Sequence, residues 1–207
     1  LLLNQSKYED SYKYLKKLDG LEKSHLNYSS IYLNSLVNSG KFSQAFTFSK
    51  KLEKESQGNF ETSLIIGIYH IKNNKPKLAN KYFLKAKENS PNTILDSYLI
   101  NSLSNWTNLE GKNYEETIFE FNKLDARFAN LNKIQNVFLS SFFGKDESEI
   151  FFKELTSDKN TDFSRYNYFY AKYMQSIGKF KKAKNIIDNS LKKYPRNLLL
   201  NQYKLDL

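Results

Sequence analysis

The stretch Gly40-Lys41-Phe42-Ser43-Gln44-Ala45 decides how this chain is to be read, because it returns. Asn74-Lys75-Pro76-Lys77-Leu78-Ala79 and Gly178-Lys179-Phe180-Lys181-Lys182-Ala183 keep the same order. Each has a Gly or Asn, a lysine, an apolar residue or proline, and a small residue three further on. Gly and Asn tolerate the left-handed backbone that ends a helix. Ala at the later position lets two helices approach closely. Two more turns fit at Gly111 and Gly144, and one precedes them at Ser6-Lys7-Tyr8. The series 6, 40, 74, 111, 144, 178 has spacings of 34, 34, 37, 33 and 34 residues. That is a period of 34 with one three-residue insertion and one single deletion.

The residues on either side of each turn carry helical periodicity. Tyr28, Ile31, Tyr32, Ser35 and Leu36 lead to Gly40, and Phe42, Ala45, Phe46, Ser49 and Leu52 follow it. The same spacing runs through Leu64, Ile65, Ile68 and Ile71, then Leu78, Tyr82, Phe83 and Ala86. It recurs in Tyr166, Tyr170, Ala171, Tyr173 and Met174, then Phe180, Ala183, Ile186, Ile187 and Leu191. Apolar residues at i, i+3, i+4 and i+7 form one face of an α-helix. Pro91 and Pro195 stand where a second helix must stop. No strand-type alternation is sustained, so the chain is predicted to be all-α, built from helix–turn–helix units.

This pattern resembles the tetratricopeptide repeat. In the unit 60–93 the matching residues are Gly67, Ala79, Phe83, Ala86 and Pro91; in 164–197 they are Ala171, Gly178, Phe180, Ala183 and Pro195. The unit from Leu26 has Gly40, Phe42 and Ala45, but Leu33 where a small residue is usual and no proline. The resemblance implies one domain, a right-handed α-solenoid of antiparallel helix pairs. It would comprise a partial unit 1–25, units 26–59, 60–93, 94–130, 131–163 and 164–197, and the start of a further helix at 198–207. The chain opens without Met and ends in an apolar-periodic stretch, so it is expected to be a piece of a longer or trimmed protein. The two middle units are degenerate. Asp146-x-x-Glu149 reads as a capping-box-like helix start, and Glu149 stands where a small residue is expected. Phe142-Phe143 and Phe151-Phe152 add bulk there, so an altered spacing that shapes a pocket is one expectation for this region, and simple drift of the repeat is the other.

In such solenoids the first helix of each unit lines a groove that holds a peptide or a partner helix. Carrying over those positions gives Asn27, Ser30, Asn34 and Asn38, then Glu61, Leu64, Ile68 and Lys72. Tyr98, Ser102 and Asn105 follow from the third unit, and Arg165, Tyr168, Lys172 and Gln175 from the last. Asn side chains can hydrogen-bond a peptide backbone without reading its sequence. A lysine–asparagine clamp for a chaperone carboxylate is not expected, since Ser30 stands where its lysine would be. The resemblance therefore implies a non-catalytic protein-interaction scaffold without a cofactor. An accessory repeat domain of a larger enzyme or envelope protein is the alternative.

Composition narrows the other classes. The 207 residues carry 32 Lys and Arg against 22 Asp and Glu, a net charge of +10. Only Arg127, Arg165 and Arg196 are arginine, which argues against phosphate recognition by a nucleic-acid binder. Lys16-Lys17, Lys50-Lys51, Lys181-Lys182 and Lys192-Lys193 fall mostly on second helices. There is no cysteine, so disulfide, thiolate-zinc and cysteine-nucleophile chemistry is absent. The two histidines, His25 and His70, are 45 residues apart, and His70 sits inside an apolar helix as a packed or boundary residue. No phosphate loop, nucleophile elbow or His-Glu metal motif occurs. The longest apolar run, Leu64 to Tyr69, is far too short to span a bilayer. Cytoplasmic and periplasmic or envelope-associated locations both fit.

Overall fold

The computed structural model describes residues 5–18, 20, 27–158 and 160–206. Among them the chain is all-helical, with no strand, and its helices pack against their neighbours in sequence order. It forms two compact units, Leu1–Gly111 and Lys112–Leu207. The first holds α1 (Tyr8–Lys16), α2 (Tyr28–Asn38), α3 (Phe42–Lys54), α4 (Phe60–Lys72), α5 (Pro76–Glu88) and α6 (Ile94–Thr107). The second holds α7 (Tyr114–Asn122), α8 (Ala129–Phe142), α9 (Ser148–Thr156), α10 (Asn167–Ser176), α11 (Phe180–Lys193) and α12 (Leu198–Asp206). The even-numbered helices take the first place in each sequence unit, the odd-numbered ones the second. The further helix expected at 198–207 is α12. His25 and the boundary at residues 25–26 lie outside the described residues.

All six residues of the turn series adopt the left-handed backbone: Ser6, Gly40, Asn74, Gly111, Gly144 and Gly178 have φ between 54° and 77°. At Gly40 the amide of Lys41 donates to the Leu36 carbonyl (2.8 Å) and the Gly40 amide to Val37 (3.0 Å). The same pair of bonds closes the helix at Asn74 (Lys75 to His70, 2.9 Å), Gly144 (Lys145 to Ser140, 2.9 Å) and Gly178 (Lys179 to Met174, 2.8 Å). Each satisfies carbonyls that a helix end otherwise leaves open. The unit with the three extra residues differs: α6 ends at Thr107, four residues before Gly111.

The small residues are packing residues. Ala45, Ala79 and Ala183 are fully buried. At Gly67 an added Cβ would lie 2.4 Å from the ring of Phe83, which is itself fully buried. In the amino-terminal unit Leu33 fills the small-residue place and joins a core of Tyr12, Tyr28, Leu36, Phe48 and Leu52. The carboxy-terminal core runs from Ile134 and Val137 through Phe152, Tyr170 and Met174 to Leu200 and Tyr203.

The sequence expectation for α9 needs correction. No capping box forms at Asp146 and Glu149; the helix begins at Ser148 after a further turn, with Glu147 as its cap residue and no side-chain cap. That one-residue offset puts Ser148, fully buried, in the small-residue place. Glu149 turns outward and pairs with Lys179 (2.7 Å) and Lys182. Side-chain capping boxes instead open α4 (Asn59 with Thr62), α6 (Thr93 with Asp96) and α7 (Asn113 with Glu116).

Three of the turn lysines share a further role. Lys41 pairs with Glu9 at 3.1 Å and lies 4.7 Å from the centre of the Tyr12 ring. Lys145 pairs with Glu115 at 3.6 Å and lies 4.5 Å from the Tyr114 ring. Lys179 pairs with Glu149. In each case the glutamate is the second residue of the preceding odd-numbered helix, so the lysine after the turn ties one helix pair to the one before it.

Candidate partner-binding face

Charge is divided between the two kinds of helix. α2 carries no charged residue, and α6, α8 and α10 carry one each. α5 carries four lysines and one glutamate, and α11 carries five lysines and one aspartate. The exposed stripe of α2 is accordingly amide-rich and apolar.

On α2, Ser30, Asn34 and Asn38 are exposed, together with Ile31; Asn27 is exposed at its cap. Asn38 donates to the backbone and side-chain oxygens of Asn34 at 2.8 and 2.5 Å, which orients both amides. On α4, Glu61, Ile68 and Lys72 are exposed, while Leu64 is half-buried against Phe60, Ala86 and Ile100. α6 departs from the expectation. Tyr98 and Ser102 are buried, at 3% and 5% exposure, so neither offers its side chain to a partner, and Asn105 is half-buried. The three extra residues are not the cause, since α6 starts 34 residues after α4, in step with the period. The exposed stripe of α6 runs through Ile94, Ser97 and Asn101 instead.

In the carboxy-terminal unit Arg165, Phe169 and Lys172 are exposed, and Tyr168 and Gln175 are half-buried. Arg165 lies 5.5 Å from the Tyr166 ring and Lys172 5.3 Å from the Tyr168 ring. Edge-to-face contacts of 5.1 Å join Phe138 to Phe169 and Tyr168 to Tyr203, so the rings link α8, α10 and α12 along one face. The Tyr203 hydroxyl donates to Gln175 at 2.6 Å. The sequence reading missed Leu131, Phe138 and Phe169. The 34-residue period could have found them, because Leu131, Gln135, Phe138 and Phe142 on α8 correspond to Arg165, Phe169, Lys172 and Ser176 on α10. All eight of these positions are exposed or half-buried.

A polar network sits between α3, α4 and α5. Glu53 accepts from Lys50, from the Tyr82 hydroxyl (3.1 Å) and from Lys85 (2.6 Å). Burial alone would raise its carboxyl, but these donors hold it down at about 2. His70 is half-buried among the rings of Phe46, Tyr69 and Tyr82. Burial, reinforced by Lys75 and Lys50, lowers its pKa and favours the neutral imidazole. The network holds the Glu53 carboxylate in hydrogen bonds and ion pairs to Lys50, Tyr82 and Lys85. Among the described residues no group of three or more His, Cys, Asp or Glu is placed to hold a metal, and no helix is long and apolar enough to cross a membrane.

No protein-family model matches this chain, and no curated protein matches it in sequence.

Proposed function

We propose that the chain is a protein-interaction scaffold of the tetratricopeptide type, a right-handed solenoid that holds a peptide or partner helix along its first helices. The observation that carries this reading is the recurrence of one turn. Six positions in 34-residue register share a left-handed backbone, and four of them share the same pair of closing hydrogen bonds. Stacked helix pairs bury a continuous core only by joining neighbours, and leave one face of the first helices free. That face is nearly uncharged on α2 and aromatic on α10. Such a surface suits backbone hydrogen bonding by Asn34 and Asn38 and apolar anchoring on Ile68 and Phe169.

The test is affinity purification from the native cell with variants on this face. Asn34→Ala, Lys72→Ala and Phe169→Ala together should remove the bound partner while leaving the thermal midpoint unchanged. A partner retained at full level by the triple variant would overturn the reading.

A further inference from the structure

A second surface lies away from the first-helix stripe. Between α7, α8 and α9 the carboxy-terminal unit has a cleft of about 410 Å³. Its floor is Ile118, Val137, Phe151 and Leu155, and Asn122, Asn136 and Glu154 stand around it together with the Lys133–Asp158 ion pair. α7 and α9 have nine residues each, against 13 in α3 and α5.

The stretch of sequence that builds this cleft runs against the rest of the chain in charge, and the charged groups that line the cleft itself are Glu154, Asp158 and Lys133. Residues 112–158 hold nine Asp and Glu against six Lys and Arg, within a protein of net charge +10. α7 carries three glutamates and no cation. Some of these carboxylates are engaged: Asp158 pairs with Lys133 at 3.1 Å, Glu115 with Lys145 and Glu120 with Lys123. Glu154 is exposed at the cleft and has no ion pair among the described residues. The neighbouring amides of Asn122 and Asn136 offer both donors and acceptors. An apolar floor with a few convergent polar groups is the usual build of a binding cleft, and the sign of the surrounding charge selects what enters it.

We propose that this cleft is a second docking site, which takes a basic segment of a partner protein carrying a bulky apolar side chain. The apolar group packs on Ile118, Phe151 and Leu155. A lysine or arginine beside it meets Glu154, and its backbone meets Asn122 and Asn136. An acidic segment or a polyanion is repelled from this region, although the chain as a whole attracts both. The site is independent of the first-helix face, so either can fail without the other.

The test uses random dodecapeptides displayed on phage and selected against the whole protein. Two variants serve for counter-selection: Glu154→Lys, which reverses the free charge, and Asn122→Trp, which fills the mouth from an exposed position. Circular dichroism melts establish that both remain folded. Peptides that survive should combine Lys or Arg with Leu, Ile or Phe and bind at least about fivefold more weakly to Glu154→Lys. They should also lose binding to Asn122→Trp. Enrichment of acidic or uncharged peptides, or binding that both variants leave unchanged, overturns the proposal. So does an empty selection, or competition of the peptides with self-association showing that a second copy occupies the cleft. Peptides lost from Phe169→Ala but kept by Glu154→Lys and Asn122→Trp would support the first-helix face and overturn this cleft.

Discussion

At Gly67 a single hydrogen atom decides how closely α4 and α5 pack. The Phe83 ring lies where a Cβ would be, with three ring carbons at 2.4 to 3.0 Å. Gly67→Ala gains up to about 1 kcal/mol of helix propensity, but overpacking a rigid buried ring costs about 1–3 kcal/mol. The expected outcome is a lower thermal midpoint, largely recovered by adding Phe83→Leu. Glu53 supports a prediction of a different kind. Its carboxyl is held below its ordinary value, so its contribution to stability is complete above the unfolded pKa. That contribution is lost as pH falls toward about 2. Glu53→Gln should be less stable at neutral pH and should flatten the loss of stability between pH 5 and 2 in urea titrations. The lowered pKa of His70 acts in the same direction, because a neutral imidazole favoured by the fold also loses stability on acidification.

At the scale of elements, the turns are both the most legible feature and the most instructive. A left-handed backbone restricts residue type so strongly that Gly40, Asn74, Gly111, Gly144 and Gly178 announce themselves in the sequence. The helix starts were less legible. Asn59 and Thr62 form a reciprocal cap, yet the sequence pattern sought there ends in Glu or Gln, and Asp146 with Glu149 fitted it without forming one. The face of α6 was not legible either: the helix starts in step with α4, so the period equates Tyr98 and Ser102 with Leu64 and Ile68, yet both are buried. The cleft beside α7 draws on three helices, and only the irregularity of those units hinted at it. Two tests follow at this scale. No atom lies within 4 Å of a Cβ at Gly40, so Gly40→Ala should cost about 1–2 kcal/mol through backbone conformation alone. Lys75 lacks the glutamate that Lys41, Lys145 and Lys179 have, since Ser43 stands where Glu9, Glu115 and Glu149 stand relative to their lysines. Ser43→Glu should therefore raise stability by a few tenths of a kcal/mol, about the value of an exposed ion pair, and lose that gain in high salt.

At the scale of the molecule, helices that touch mainly their sequence neighbours make stability local. A lesion should open the structure near itself before it opens anything distant. Ala183 is fully buried, so Ala183→Leu should raise hydrogen exchange through α10, α11 and α12. Amides of α2 to α4 should keep their protection; equal loss in both places would contradict this picture. The net charge of +10 also takes on a different meaning. It is concentrated on α3, α5 and α11, while α2 carries none and residues 112–158 carry the opposite sign.

The repeated turn has one more consequence, for how such a chain can change its length. Each helix pair is handed on with one left-handed torsion, and at three of the turns with a lysine that reaches back for a glutamate. A segment copied from just after one turn to the next, such as residues 41–74, carries its own joint at one end and meets a matching joint at the other. Duplicating that segment in frame should give a folded protein with one more helix pair. Copying a segment of the same length from mid-helix to mid-helix would be expected to succeed as well, since the cassette is defined by its period and not by where it is cut. Duplicating 30 or 38 residues breaks the phase. The chain is in that sense written in a metre, and growth or loss by whole lines is the edit it tolerates.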